Sequence, residues 1–163
     1  MKVVVNATPL IALSLINRLE LLRQLFDRVI VPTAVYQEVA TQGANMPGAM
    51  ELASSSWIEV QMPKTSPTIE PMLMGLDVGE LQVLLLANEI KPDWVIIDER
   101  LARRVAGVMG LPIKGTVGVL LAAFHSGYLS KIDVMEGVQQ MVVQGIRLSP
   151  KVINWLENNL DNS

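Results

Sequence analysis

The sequence predicts an α/β protein in which helices cover both faces of a central parallel sheet, a three-layer α/β/α sandwich. Short β-branched runs, such as residues 3–5 and 28–31, alternate along the chain with longer helical patterns. This alternation is typical of parallel βαβ units, because a crossover helix returns the chain to the same end of the sheet. Residues 94–97 are apolar without interruption, which is the pattern of a strand buried on both faces.

The remaining elements follow from the same patterns and from helix start and stop signals. Predicted strands cover residues 3–5, 28–31, 57–60, 94–97 and 112–114. A first helix has Pro9 in its first turn and ends at residue 15. The other predicted helices cover residues 19–25, 33–39, 49–54, 78–90, 100–109, 117–125, 134–143 and 150–158. Thr33 is the predicted N-cap of its helix. Residues 61–71, which contain three prolines, are interpreted as either a mobile flap or a crossover.

Composition limits the classes of protein to consider. A chain of 163 residues, half of them hydrophobic and 18% charged, is expected to form a packed core rather than a disordered segment. We expect one domain over residues 1–163, with a helical C-terminal part at 134–158. A formal net charge of -3 excludes a protein that holds nucleic acid through overall basicity. Contact with RNA or DNA would therefore depend on a local basic patch.

The absence of cysteine excludes disulfides, thiolate catalysis and cysteine-containing zinc sites. It suits a reducing compartment, and a cytoplasmic location is expected. The apolar opening up to Ile16 is interpreted as a buried strand and first helix, since Asn6, Thr8 and Pro9 interrupt it. No uninterrupted apolar run reaches the roughly 20 residues of a membrane span.

Polar and acidic residues stand at four junctions between strands or turns and the helices that follow. They are Asn6, Glu38, Glu80 and Asp98. Because strand ends that feed helices share one edge of a parallel sheet, residues far apart in sequence can meet there. Oxygen ligands of this kind select Mg²⁺ or Mn²⁺. The sequence therefore predicts a carboxylate-rich metal pocket.

Each of these residues also has a purely structural interpretation. Asp77 and Glu80 have the spacing of a capping box, although Glu80 lies on the predicted packed face of its helix. Asp98 could be an N-cap, and Glu99 a solvated acid in the first helical turn or a metal ligand. Glu38 could be an ordinary exposed charge. Asn6 and Thr8 could simply cap the first helix.

Five motifs, taken in order, resemble the PIN-domain family of metal-dependent nucleases over nearly the whole chain. They are Val4-Val5-Asn6-Ala7-Thr8-Pro9-Leu10-Ile11, Val31-Pro32-Thr33-Ala34-Val35-Tyr36-Gln37-Glu38-Val39, Leu76-Asp77-Val78-Gly79-Glu80-Leu81, Ile96-Ile97-Asp98-Glu99-Arg100-Leu101-Ala102-Arg103-Arg104-Val105-Ala106 and Gly110-Leu111-Pro112-Ile113-Lys114-Gly115-Thr116-Val117-Gly118-Val119-Leu120-Leu121. The chain looks most like a prokaryotic PIN-like subgroup. No single motif is diagnostic, but their order over a small domain is specific.

The resemblance implies acids at the sheet edge that bind Mg²⁺ or Mn²⁺ and cut single-stranded RNA. Its catalytic residues and metal ligands would be Glu38, Glu80 and Asp98. Asn6, at the position of the family's first acid, and Glu99, from its place beside Asp98, are further predicted metal ligands. Thr8 and Thr116 would support the site. Asn6 departs from the pattern, since active members usually carry Asp at the end of the first strand. An amide oxygen can still coordinate a hard cation but brings no charge.

The resemblance also implies partners. The chain could be the toxin of a toxin–antitoxin module, neutralised by a small antitoxin and forming a homodimer. The alternative is a catalytically impaired PIN-like module that binds RNA or protein. Arg100, Arg103, Arg104 and Lys114 neighbour Asp98 in sequence and could contact RNA phosphates, or could form an ordinary solvated face. A nucleotide-binding protein is disfavoured, because neither a GxGxxG turn nor a GxxxxGK[ST] loop is present.

Overall fold

The computed structural model of the protein describes residues 1–65 and 75–162. It contains a five-stranded sheet made of β1 (Lys2–Val5), β2 (Arg28–Pro32), β3 (Ile58–Gln61), β4 (Trp94–Ile96) and β5 (Ile113–Lys114). The strand order is β3-β2-β1-β4-β5, and every neighbouring pair is parallel. The chain therefore adds strands on one side of β1 and then crosses over to continue on the other side. In such sheets ligands bind beyond the carboxyl ends of the strands where the order reverses, here β1 and β4.

The helices alternate with the strands as the sequence predicts. They are α1 (Ala7–Leu15), α2 (Leu21–Leu25), α3 (Thr33–Tyr36), α4 (Ala49–Ala53), α5 (Val78–Ile90), α6 (Arg100–Val108), α7 (Thr116–His125), α8 (Lys131–Val143) and α9 (Pro150–Asp161). A π-helical segment, Gln37–Gln42, continues α3. The predicted α/β sandwich with a central parallel sheet is confirmed. No helix in the described parts of the chain is long and apolar enough to cross a membrane.

The central strands are buried on both faces because helices pack against them. Val3, Val4 and Val5 of β1 are completely inaccessible, as are Val95 and Ile96 of β4. Helix α5 lies against β1 and β2, with α3 beside it, whereas α7 packs against α1, α2, α8 and α9. Burial of this continuous apolar core is the main favourable contribution to folding. It also fixes the strand ends on which the polar residues stand.

The start of α3 differs from the sequence prediction. The sequence predicts Thr33 as the N-cap, but Pro32 occupies that position and Thr33 is the first helical residue. The acceptor for the free N–H of Ala34 comes from another helix, since this N–H donates to Oε1 of Gln82 in α5 at 2.9 Å. A cap of this kind depends on tertiary packing, so the sequence around the helix start does not indicate it. The sequence indicates a flap or a crossover at residues 61–71. Of these, residues 66–71 lie outside the described residues.

Replacing Gln82 with Ala is expected to destabilise the protein by about 1 kcal/mol, the usual effect of losing a helix cap. The N–H of Ala34 would be left without its acceptor at a half-buried helix start. Urea unfolding measures the change. Gln139→Ala, at an exposed position on α8, is the matched control and should leave the midpoint unchanged. Equal effects of the two substitutions would contradict the capping role.

Candidate metal centre

The candidate site lies where the carboxyl ends of β1 and β4 meet. Asn6 follows β1 directly, and Asp98 and Glu99 follow β4 after Ile97. The backbone N–H of Asn6 donates to the carbonyl of Ile96 at 3.0 Å, so the parallel pairing continues to the last residue before the site. The predicted junction residues of β1 and β4 are therefore brought together at one edge of the sheet.

Asn6 is nearly inaccessible, with 3% of its surface exposed. It holds the N-cap position of α1, but its side chain makes no capping hydrogen bond. Instead its amide nitrogen, Nδ2, donates to Oε2 of Glu99 at 2.8 Å. The hydroxyl of Thr8 donates to the other oxygen, Oε1. The side chain of Asn6 therefore binds Glu99 instead of capping its own helix.

Glu99 is neither solvated nor in the first turn of its helix. It is the half-buried N-cap residue of α6, with an extended backbone, and its side chain turns toward Asn6 and Thr8. An ionised carboxylate only accepts hydrogen bonds, and both of its oxygens here have a donor. The predicted helix start at residue 100 is confirmed, and Glu99 stands just before it with its side chain bound by Asn6 and Thr8 instead of lying free in solvent.

Asp98 caps a helix, but not the helix that follows it in sequence. Its Oδ1 accepts the backbone N–H of Thr116 at 2.9 Å, and its Oδ2 accepts the Thr116 hydroxyl at 2.5 Å. Thr116 is fully buried and is the first residue of α7. A Cβ atom at Gly115 would lie 2.9 Å from Oδ1 of Asp98. Only glycine leaves room for this carboxylate.

Glu80 and Glu38 meet at the start of α5. The backbone N–H of Asp77 donates to Oε2 of Glu80 at 3.0 Å, and the Glu80 N–H donates to Oδ1 of Asp77 at 2.7 Å. This is the capping box that the spacing indicated. Oε2 of Glu38 lies over buried Gly79, 3.2 Å from where a Cβ would be. Glycine at this position thus lets the Glu38 carboxylate approach the N-terminus of α5.

The charges of these acids act on one another. Burial raises the pKa of Glu38, although the residue as a whole is exposed, and the charges of Asp77, Glu99 and Glu80 raise it further. Burial also raises the pKa of Glu80, and Asp77 and Glu99 add to the rise while the bond from the Asp77 N–H opposes it. The carboxylates therefore share one region of unfavourable negative potential.

The pKa of Asp98 is set by a different combination of effects. Burial raises the pKa of Asp98, whereas the two hydrogen bonds from Thr116 oppose that rise. The charge of Glu99 raises this pKa, and the charge of Arg103 lowers it. The Arg103 guanidinium donates from Nη1 to the carbonyl of Ile97 at 2.8 Å and so stands beside the carboxylate. Arg103 is thereby held within the site.

The other predicted RNA-binding residues lie in different surroundings. Arg100 and Arg104 are exposed on α6. The ammonium of Lys114 lies 4.2 Å from the ring centroid of Trp94, and its aliphatic stem runs over Gly118. Burial lowers the pKa of Lys114. The Lys114 ammonium therefore lies beside the first residue of β4, whereas Asp98 and Glu99 follow its last residue.

The donor atoms suit a hard divalent cation, since carboxylate and amide oxygens are the ligands that Mg²⁺ and Mn²⁺ prefer. As they stand, however, no three acidic or histidine side chains in residues 1–65 and 75–162 are close enough to hold one ion together. The side chains form hydrogen bonds to donors at the helix starts instead. Sequence reasoning missed the partners: Thr116 and Arg103 for Asp98, and Asn6 with Thr8 for Glu99.

The raised pKa values of Glu38, Glu80 and Asp98 predict that the metal-free protein gains stability as the pH falls. A raised carboxyl pKa means that the folded state binds protons more tightly than the unfolded state. The resulting stabilisation is complete below the ordinary values, 4.5 for Glu and 3.8 for Asp, and is lost as the pH rises through the raised values. Urea unfolding in EDTA at pH about 5.5 and about 7.5 measures this difference.

Glu38→Gln should reduce the pH dependence, because it removes one of the titrating groups. Glu51→Gln, at an exposed position on α4, is the matched control and should preserve it. Measurements stay above pH about 5, since carboxyls with lowered pKa values, such as Glu59 and Glu89, lose stabilisation in more acidic solution. A stability that rises with pH across this interval would contradict the prediction.

Comparison with known proteins agrees with this architecture. The model of the PIN-domain family matches residues 2–161, nearly the entire chain. No match was found among curated proteins or among solved structures. The matched region includes all five strands of the parallel sheet and every acid of the candidate site. The family predicted from the five motifs is confirmed: the chain belongs to the PIN-domain family.

Proposed function

We propose that the protein is a metal-dependent ribonuclease that hydrolyses single-stranded RNA with Mg²⁺ or Mn²⁺. One observation carries the proposal: Glu38, Glu80 and Asp98, from three separate elements, all have pKa values raised in part by the charge of Glu99. Mutual repulsion of this kind is unfavourable to folding and is relieved by a cation. Several carboxyl groups with perturbed pKa values in one place are typical of functional sites.

The residues that would hold the cation are Glu38, Glu80, Asp98 and Glu99, with Asn6 contributing an amide oxygen. When bound, a divalent cation neutralises phosphate charge and lowers the pKa of an attacking water. The chain's own residues set the positions of these ligands. Thr116 orients Asp98, and the capping box with Asp77 orients Glu80. Each of these two acids is therefore fixed by a helix start instead of being carried on a free loop.

Arg100 and Arg104 would provide the phosphate contacts. Both are exposed on α6, the helix that begins beside Asp98 and Glu99. Arg103 is occupied by the Ile97 carbonyl, and Lys114 by the Trp94 ring, so these two are less suited to binding a phosphate. With a net charge of -3, the affinity for RNA would come from this short basic stretch. In the cell we place the enzyme in the cytoplasm, as a homodimeric toxin controlled by an antitoxin.

A specific observation favours a second function. Asn6 supplies a hydrogen-bond donor where a further acid would add charge. With fewer charges, the site would bind metal weakly and act as a catalytically impaired RNA-binding or protein-binding module. Wild-type protein that leaves RNA intact at millimolar Mn²⁺, while Asn6→Asp cleaves it, would favour this second function.

The ribonuclease proposal predicts that Glu80→Gln lowers Mn²⁺-dependent RNA cleavage by about a hundredfold or more, since groups that merely support metal ligands contribute roughly 10–100-fold. Glutamine keeps the acceptor of the capping box, so the start of α5 should remain folded. The readouts are cleavage of a fluorescent single-stranded RNA and calorimetric titration with Mn²⁺.

Asp133→Asn is the matched control for Glu80→Gln. Asp133 occupies the same position in the capping box of α8, formed with Ser130. Equal cleavage by wild type and Glu80→Gln would contradict a role for Glu80. Wild-type protein that neither cleaves RNA or DNA nor binds Mn²⁺, with Asn6→Asp equally inert, would require the nuclease proposal to be withdrawn.

The basic stretch predicts a change in salt dependence. In a Glu80→Gln background, which slows cleavage, removing Arg100 or Arg104 should weaken RNA binding and lower the salt slope by about 0.7 for each phosphate that the protein no longer neutralises. Lys151→Ala, at an exposed position on α9, should change neither quantity. Fluorescence anisotropy at several salt concentrations measures both. Slopes that stay at the wild-type value would show that α6 does not contact the phosphates.

A further inference from the structure

We propose that Asn6, Thr8 and Glu99 act as one unit that delivers a single carboxylate to the metal centre, with Asn6 as a positioning residue and Glu99 as the ligand. This inference rests on the proposed function, because it assigns the ligand charge of the same site. It gives Asn6 a role in addition to the amide oxygen that it would offer to the cation. The amide would hold Glu99, an acid that follows the neighbouring strand β4, and the site would keep the negative charge of that acid.

Among residues 1–65 and 75–162, the two hydrogen bonds to the Glu99 side chain both come from the β1–α1 junction. Nδ2 of Asn6 donates to Oε2 at 2.8 Å and the Thr8 hydroxyl donates to Oε1. Both donors are neutral, so they orient the carboxylate without cancelling its charge. Within the described ranges, no lysine or arginine forms an ion pair with Glu99. The negative charge thus remains available to a cation.

The position of Glu99 suits a ligand shared by the whole site. It is adjacent to Asp98 in sequence, and its charge also reaches Glu38 and Glu80, which stand on other elements. Asn6 itself is almost completely buried, so its amide cannot move freely to solvent. Because an ionised carboxylate only accepts hydrogen bonds, the amide presents its nitrogen to Glu99.

The direction of the Asn6–Glu99 hydrogen bond makes the idea testable by exchange. Asn6→Asp alone places two carboxylates at the distance of a hydrogen bond, which is repulsive without a cation. Glu99→Gln alone keeps a compatible pairing, because the glutamine oxygen can accept from Asn6 and its nitrogen can donate to Thr8. The double variant Asn6→Asp/Glu99→Gln reverses the bond and returns the pair to one negative charge.

Urea unfolding in EDTA tests the pair without any metal. We expect Asn6→Asp to lower the unfolding midpoint, Glu99→Gln to leave it at or above the wild-type value because repulsion of the other acids is removed, and the double variant to restore it. Glu136→Gln, at an exposed position on α8, controls for the loss of one carboxylate. A double variant no more stable than Asn6→Asp would overturn the proposal, because the two side chains would then not be coupled.

Calorimetric titration with MnCl₂ tests the ligand role. The affinity for Mn²⁺ should increase with the negative charge on residues 6 and 99. It should be highest for Asn6→Asp and similar for wild type and the double variant. For Glu99→Gln it should be lower than for wild type by about tenfold or more. Wild-type affinity in Glu99→Gln would overturn the assignment of Glu99 and leave the nuclease proposal standing. If no variant bound Mn²⁺, both would be overturned. The EDTA measurements would then show whether the hydrogen bond serves folding alone.

Discussion

The parallel pairing of β1 with β4 is the constraint on which the candidate site depends. The two strands are distant in sequence, yet their register continues to the bond between the Asn6 N–H and the Ile96 carbonyl. That bond sets the residues after β1 and after β4 side by side. Because both strands are buried on both faces, the register cannot slip without exposing the core. The apolar core and the polar edge are therefore specified by the same pairing.

The sequence allows the acids to be interpreted either as helix caps or as metal ligands. The two roles are compatible, because both place a carboxylate at a helix start near the carboxyl edge of the sheet. In a parallel sheet the helices α1, α5, α6 and α7 all begin near the carboxyl edge. Helix starts carry free N–H groups and a positive partial charge, both of which favour carboxylates. Asp98 at α7 and Glu80 at α5 use these groups directly. The caps hold the acids in place, and the cation that we propose would relieve their repulsion.

The order of elements and the junction positions could be predicted from the sequence because they depend on local periodicity. The predicted bounds of helix α5 match the observed ones, Val78–Ile90, and the capping box of Asp77 and Glu80 follows from spacing alone. Partners across the fold could not be predicted. Asp98 caps α7 instead of α6, and Gln82 caps α3. These contacts depend on how helices are placed by the sheet, which no local pattern records.

Helix α5 connects separate parts of the candidate site through two side chains near its start, Glu80 and Gln82. Glu80 belongs to α5 itself, and Gln82 of the same helix holds the beginning of α3, which continues into the π-helical segment that carries Glu38. At its far end, Glu89 accepts the backbone N–H groups of Lys64 and Thr65, just after β3. A shift of α5 along its axis would therefore move two acids of the site together. The hydrogen bond between Ala34 and Gln82 thus connects the element that carries Glu38 to the helix that carries Glu80.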